Sequence, residues 1–98
     1  MMATALVSVQ IIPKASSTEE VIELVDEAIK IIESSGVNYE VHPLETTMEG
    51  ELEHLLAVIA QMNKKMIELG SPNVISQVKI LYQPSGITMG RLTEKYRS

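Results

Sequence analysis

Three polar residues stand close together in the middle of the chain, between two strongly amphipathic helical patterns. Residues 36–51 predict two short strands joined by a tight connection, and Thr46, Thr47 and Glu49 lie at their end, where the second helix begins. Hydroxyl and carboxylate groups at a helix entrance can hydrogen-bond a ligand. The alternatives are that Thr47 is an ordinary strand residue, and that Glu49 only favours the positive end of a helix. We count all three as candidate ligand-binding residues.

Four further candidates place polar or flat groups inside predicted strands. Ser8 and Gln10 alternate with aliphatic residues near the N-terminus, and Lys79 stands between two aliphatic residues near the C-terminus. Tyr39 offers a ring that could stack on a flat ligand. Ser8 and Gln10 could instead hydrogen-bond across a subunit interface. Lys79 could form an ion pair there or meet an anionic ligand, and Tyr39 could be ordinary strand packing.

The sequence contains no recognisable catalytic motif. It has no cysteine, no Ser-His-Asp order and no phosphate-binding glycine loop. Glu51 and His54 form one Glu-x-x-His pair, but a carboxylate-bridged metal site needs two such pairs and further glutamates. We therefore expect neither a catalytic residue nor a metal site.

The first half of the chain predicts a strand followed by a long helix. Residues 5–12 alternate as a strand does, and Pro13 ends the run because it cannot donate to a sheet. Ser17 and Glu20 form a capping-box pattern, and Gly36 ends the helix. The predicted buried stripe of this helix contains Val21, Val25, Ala28 and Ile32, with Ile22 and Ile29 beside it.

The second half predicts two strands, a helix, a last strand and a tail. The strands span residues 37–42 and 45–49, the helix runs from after Gly50 to about Leu69, and the last strand covers residues 73–82. The tail, residues 87–98, is expected to form one or two helical turns. The apolar positions of the second helix are Leu52, Leu55, Ile59, Met62, Met66 and Leu69.

The resulting order βαββαβ predicts an α+β fold, the ferredoxin-like sandwich, with a four-stranded antiparallel sheet and two helices on one face. The other face would be open. Its predicted residues are Leu6, Ser8, Gln10 and Ile12 on the first strand and Ile75, Gln77, Lys79 and Leu81 on the last, while Val78 and Ile80 face the helices. A face of this mixed character favours a partner subunit over one part and a ligand over the rest, so we expect a homodimer or homotetramer.

The chain resembles the thiamine-binding family of ferredoxin-like proteins. The similar segments are residues 7–13 of the first strand, 36–43 of the second and 78–80 of the last, and the strongest is Thr47-Met48-Glu49-Gly50-Glu51 at the entrance to the second helix. Glu45 and Thr46 stand where the family often has a glycine before the threonine, and Gln83 to Gly86 replace the Arg and Asp common after the last strand.

The resemblance implies a non-catalytic protein that binds thiamine or its hydroxymethylpyrimidine part at a subunit interface. No cofactor is expected apart from thiamine as the ligand. Thiamine joins an aminopyrimidine, which needs paired donors and acceptors, to a cationic thiazolium. Gln10, Ser8 and Thr47 could serve the first, and Glu49 could offset the charge of the second.

Length and composition limit the number of domains and the classes of function that we expect. The 98 residues predict a single domain, residues 1–98, and the net charge of −5 argues against nucleic-acid binding. No apolar run is long enough to insert into a membrane, and we expect a cytoplasmic protein. Two alternatives to the binding protein stay open: a regulatory or assembly module that binds another metabolite or protein, and a minor enzyme that uses the open face.

Overall fold

The computed structural model describes residues 3–96, and within them it confirms the predicted sandwich. The elements are β1 (Ala5–Pro13), α1 (Thr18–Ser35), β2 (Asn38–Val41), β3 (Thr46–Gly50), α2 (Leu52–Glu68), β4 (Val74–Tyr82), α3 (Met89–Thr93) and a 3-10 turn (Glu94–Tyr96). The strands form one antiparallel sheet in the order β2-β3-β1-β4. Predicted and observed boundaries differ by a residue or two.

Local signals fix the ends of α1. The Ser17 hydroxyl oxygen accepts a hydrogen bond from the Glu20 N–H at 3.2 Å, which satisfies one of the unpaired donors in the first turn. Gly36 ends the helix with φ +81°, a left-handed conformation that suits glycine. A Ser-x-x-Glu start and a glycine stop were both readable from the sequence.

The core lies between the helices and one face of the sheet. Its sheet side contains Val7 and Val9 of β1 and Met48 of β3, all buried. The helices contribute a larger buried set: Leu24, Ala28 and Ile32 from α1, and Leu55, Val58, Ile59, Met62 and Met66 from α2. With no Phe or Trp in the chain, aliphatic and methionine side chains fill this space.

Several predicted core positions are wrong. Ile22 is 55% exposed and Leu69 is also exposed, while Leu24 and Val58, absent from the predicted stripes, are buried. Leu24 lies one turn before Ala28 on the buried line of α1, whereas Ile22 lies on the far side of that line. Leu69 follows the last residue of α2 and points away from the core.

The edge strand β4 is more exposed than predicted. Val78 and Ile80 pair with Val9 and Val7 and so share the helix-facing side of the sheet. They nevertheless remain 41% and 47% exposed, because the helices lie mainly over the inner strands. Both sides of β4 therefore carry accessible apolar surface.

Candidate functional site

Strand pairing places five of the seven candidate residues on the open face. Ser8 is opposite both Thr47 and Lys79, so these three side chains form one row across β3, β1 and β4. Directly paired residues in a sheet have Cβ atoms roughly 4.5–5.5 Å apart. Glu49 and Gln10 lie on the same face, in the rows on either side of this one.

Tyr39 and Thr46 do not join the other five. Tyr39 pairs with Met48 and Thr46 pairs with Val9, which puts both on the helix-facing side. Thr46 is only 6% exposed, and the Tyr39 hydroxyl donates to Glu33 at 3.5 Å. Because neighbouring strand residues point to opposite faces, Thr46 and Thr47 cannot meet one ligand, and the predicted group at the helix entrance divides.

A groove on the open face collects hydrogen-bonding groups from three segments. We call this the open-face groove; its volume is about 360 Å³. It is lined by Ser8, Gln10, Leu44, Glu45, Gln77, Val78 and Lys79. Small-molecule sites span roughly 300–1,000 Å³, so the groove is large enough for a small heterocycle.

The polar side chains of the groove are free to bind a ligand. Within residues 3–96, the side chains of Ser8, Gln10, Glu45, Gln77 and Lys79 make no hydrogen bond or ion pair with the protein. Two amides, a hydroxyl, a carboxylate and an ammonium can therefore all turn toward a bound molecule. The opposite charges of Glu45 and Lys79 suit a ligand that is cationic at one end.

Sequence reasoning missed two polar residues of the groove. Gln77 was placed on the open face but not among the candidates, although it pairs directly with Gln10. Glu45 belongs to the four-residue connection between β2 and β3, which the His42 N–H closes by donating to the Glu45 carbonyl at 2.8 Å. The position of a loop over a neighbouring strand has no simple sequence signal.

Glu49 differs from the groove residues because both of its carboxylate oxygens are occupied. Oε1 accepts from the Asn38 side-chain amide at 2.9 Å, and Oε2 accepts from the Met89 backbone N–H at 2.8 Å. Met89 is the first residue of α3, so the carboxylate stabilises a helix end. The alternative drawn from the sequence was that Glu49 only favours the positive end of a helix. The geometry fits that role, but the helix is α3 and not α2.

The C-terminal tail, residues 83–96, covers one end of the open face. The Gln83 N–H donates to the Thr4 carbonyl at 2.7 Å and the Ile87 N–H donates to the Ala3 carbonyl at 2.9 Å. From there the tail reaches Glu49 on β3, the residue that pairs with Leu6 of β1. Leu6 is 8% exposed and Ile87 is 3% exposed. The chain thus covers by itself part of the face that was expected to need a partner.

Among the larger concavities elsewhere, two are lined in part by His54. One, of about 490 Å³, separates α1 from α2 and is lined by residues that include Lys30, His54 and Lys65. The other, of about 680 Å³, lies beside Glu51 and His54. Within residues 3–96 no group of three or more His, Cys, Asp or Glu side chains could hold a metal ion, and no helix is long and apolar enough to cross a membrane. We favour the smaller groove because three of the predicted residues, Ser8, Gln10 and Lys79, line it together.

Comparison with known proteins gives one consistent family. The family model described as thiamine-binding protein matches residues 7–98. A UPF0045 protein of Clostridium perfringens is 45% identical over 96 residues, which is 98% of this chain and 100% of that protein.

Two solved structures share both the fold and a substantial part of the sequence. A domain of unknown function from Bacillus cereus matches with a TM-score of 0.91 and 39% identity, over 100% of this chain and 94% of that one. A candidate thiamine biosynthesis/salvage protein from Thermotoga maritima matches with a TM-score of 0.86 and 32% identity, over 96% and 99%. The similarity extends over nearly the whole chain in each case.

Proposed function

This chain belongs to the thiamine-binding protein family, and on that premise we propose that it binds thiamine, or the hydroxymethylpyrimidine part of thiamine, in the open-face groove where two subunits meet. Membership supports a small-molecule binding role. The observation that carries the proposal is the convergence in one groove of polar side chains that have no partner within the described protein.

The chemistry of the groove fits the two halves of thiamine. Gln10 and Gln77 pair across β1 and β4 and each offers a donor and an acceptor, which an aminopyrimidine edge requires. Ser8 adds a hydroxyl in the next row. Glu45 supplies the carboxylate that offsets the thiazolium charge, a role expected of Glu49 from the sequence. Lys79 would then face solvent or a phosphate ester of the ligand.

A subunit contact beside the groove is part of the proposal. The exposed apolar residues of β4 include Ile75 on the open face and Val78 and Ile80 on the other. The outer edge of β4 carries no paired strand within the described residues. A nine-residue apolar edge strand favours association with a second copy, which supports a homodimer or homotetramer.

We propose binding without catalysis. Ser8 is the one hydroxyl among the described groove-lining residues, and no histidine lines the groove beside it. His42 and His54 line other concavities. A serine without an adjacent base is a weak nucleophile. We place this binding function in the cytoplasm.

A second function is favoured by the exposed edge of β4. The same apolar surface would suit a regulatory or assembly module whose partner is a different protein. In that case the groove would bind no thiamine.

Isothermal titration calorimetry with thiamine and with hydroxymethylpyrimidine separates these functions. We expect saturable heat with micromolar or tighter affinity for at least one of them. Gln10→Ala should weaken binding about 2- to 150-fold, because one or two hydrogen bonds of ~0.5–1.5 kcal/mol each are lost. Gln61→Ala, on the exposed surface of α2, is the matched control and should bind as the wild type does. Absence of heat with both ligands would reject the proposal.

A further inference from the structure

We propose that Glu49 is a positioning residue, which holds the C-terminal tail across one end of the open face and does not itself contact the ligand. The inference rests on the proposed function only where it concerns ligand affinity. It departs from the sequence-based expectation that the Glu49 carboxylate offsets the charge of thiamine.

The first step is that each carboxylate oxygen of Glu49 already accepts a hydrogen bond within the protein. Asn38 donates to one oxygen at 2.9 Å and the Met89 N–H donates to the other at 2.8 Å. The free polar groups of the groove make no such contacts. Each oxygen keeps a second acceptor site, so the two bonds fix the direction of the carboxylate, and moving Glu49 toward a ligand would break an interaction that stabilises the first turn of α3.

The second step is that, among the described residues, few hydrogen bonds hold the end of the tail. The segment up to Ile87 is fixed by backbone bonds to Ala3 and Thr4 and by a turn in which the Gln83 amide donates to the Gly86 carbonyl at 2.8 Å. Within residues 3–96, the Met89–Glu49 bond is the one hydrogen bond that joins residues 88–96 to the rest of the protein. No residue of α3 is fully buried.

The third step is that the tail limits the ligand to the remaining face. The rows of Ser8 and Gln10 stay open, whereas in the next row Leu6 is buried and Glu49 is hydrogen-bonded to the tail. Leu81, the β4 member of that row, is 41% exposed. Release of the tail would uncover this end of the open face. No tail residue lines the open-face groove itself, but release would uncover Leu6 in the row next to Ser8 and so change the surface beside the groove.

Hydrogen exchange without ligand tests only whether Glu49 holds the tail. Glu49→Ala should speed exchange of the Met89 amide by at least about tenfold, since a hydrogen bond to a charged group is lost. Asn38→Ala, which removes the bond that orients Glu49, should give a smaller increase. Glu49→Gln, which keeps an acceptor oxygen, should restore part of the protection. Glu51→Ala is the control: its carboxylate accepts from the Thr4 hydroxyl at 3.1 Å and makes no hydrogen bond to the tail within residues 3–96.

Calorimetry with two ligands then separates positioning from direct contact. If Glu49 acts through the tail, Glu49→Ala weakens thiamine and the uncharged hydroxymethylpyrimidine by the same factor, set by the fraction of molecules with a closed tail. Loss of affinity for thiamine alone, with unchanged Met89 exchange, would overturn the proposal. Unchanged exchange in Glu49→Ala would overturn it even without ligand data. If the wild type binds neither ligand, the proposed function fails. The exchange result still decides whether Glu49 holds the tail.

Discussion

The charged residues of the groove predict how the protein distinguishes thiamine from its phosphate esters. Lys79 stands opposite Ser8 on the exposed edge strand, and Glu45 lines the same groove. Thiamine brings a positive charge, and a phosphate ester adds negative charge to it. Replacing Lys79 with methionine removes the cation and keeps most of the apolar stem.

Magnitude decides how large the effect of Lys79→Met can be. Two unit charges about 6 Å apart interact by ~0.7 kcal/mol in water and by ~2.8 kcal/mol at an effective dielectric constant of about 20. Lys79 is exposed, so the lower value applies. The variant should therefore bind thiamine monophosphate about threefold more weakly relative to thiamine than the wild type does.

Calorimetry at low and high salt provides the assay. The roughly threefold change should shrink at about 1 M salt, where the Debye length falls to ~3 Å. Lys64→Met, on the exposed surface of α2, changes the net charge equally on the other side of the sheet and serves as the control. An unchanged ratio of the two affinities in Lys79→Met, or an equal change in Lys64→Met, would refute the assignment of Lys79 to the ligand's end of the groove.

Two further predictions concern the core and the edge strand. Leu55 is fully buried, so Leu55→Ala should lower the free energy of unfolding by ~2–5 kcal/mol in urea titrations, and a loss well under ~1 kcal/mol would contradict the packing described. Ile75 is 61% exposed on β4, so Ile75→Lys should reduce the mass measured by light scattering toward that of a monomer; a wild type that is already monomeric would contradict the proposed subunit contact.

The fold could be predicted because its determinants are local. The Ser17 cap, the Gly36 stop and the alternation of Val7 and Val9 each specify an element without reference to the rest of the chain. The order of those elements then leaves few topologies. The error at Leu24 arose within a correctly predicted helix, because the predicted stripe went from Val21 to Val25 and omitted Leu24, one position before Val25.

The arrangement of the candidate residues was predicted less well, because it depends on contacts between distant segments. Ser8, Gln10 and Lys79 were correctly assigned to the open face from strand alternation. Assigning Thr46 to the opposite face required the register of β3 against β1, and recognising the engagement of Glu49 required the path of the tail 40 residues later. Contacts of that kind depend on the assembled sheet.

The central claim is that the open-face groove binds thiamine. A titration of isotopically labelled protein with thiamine, followed by NMR, tests it most directly. We predict saturable shifts of the Ser8 and Gln10 backbone amides and of the Gln10 and Gln77 side-chain amides, with α2 residues such as Gln61 unaffected. Shifts that cluster around His54 between the helices, or no shifts at millimolar thiamine, would contradict the claim.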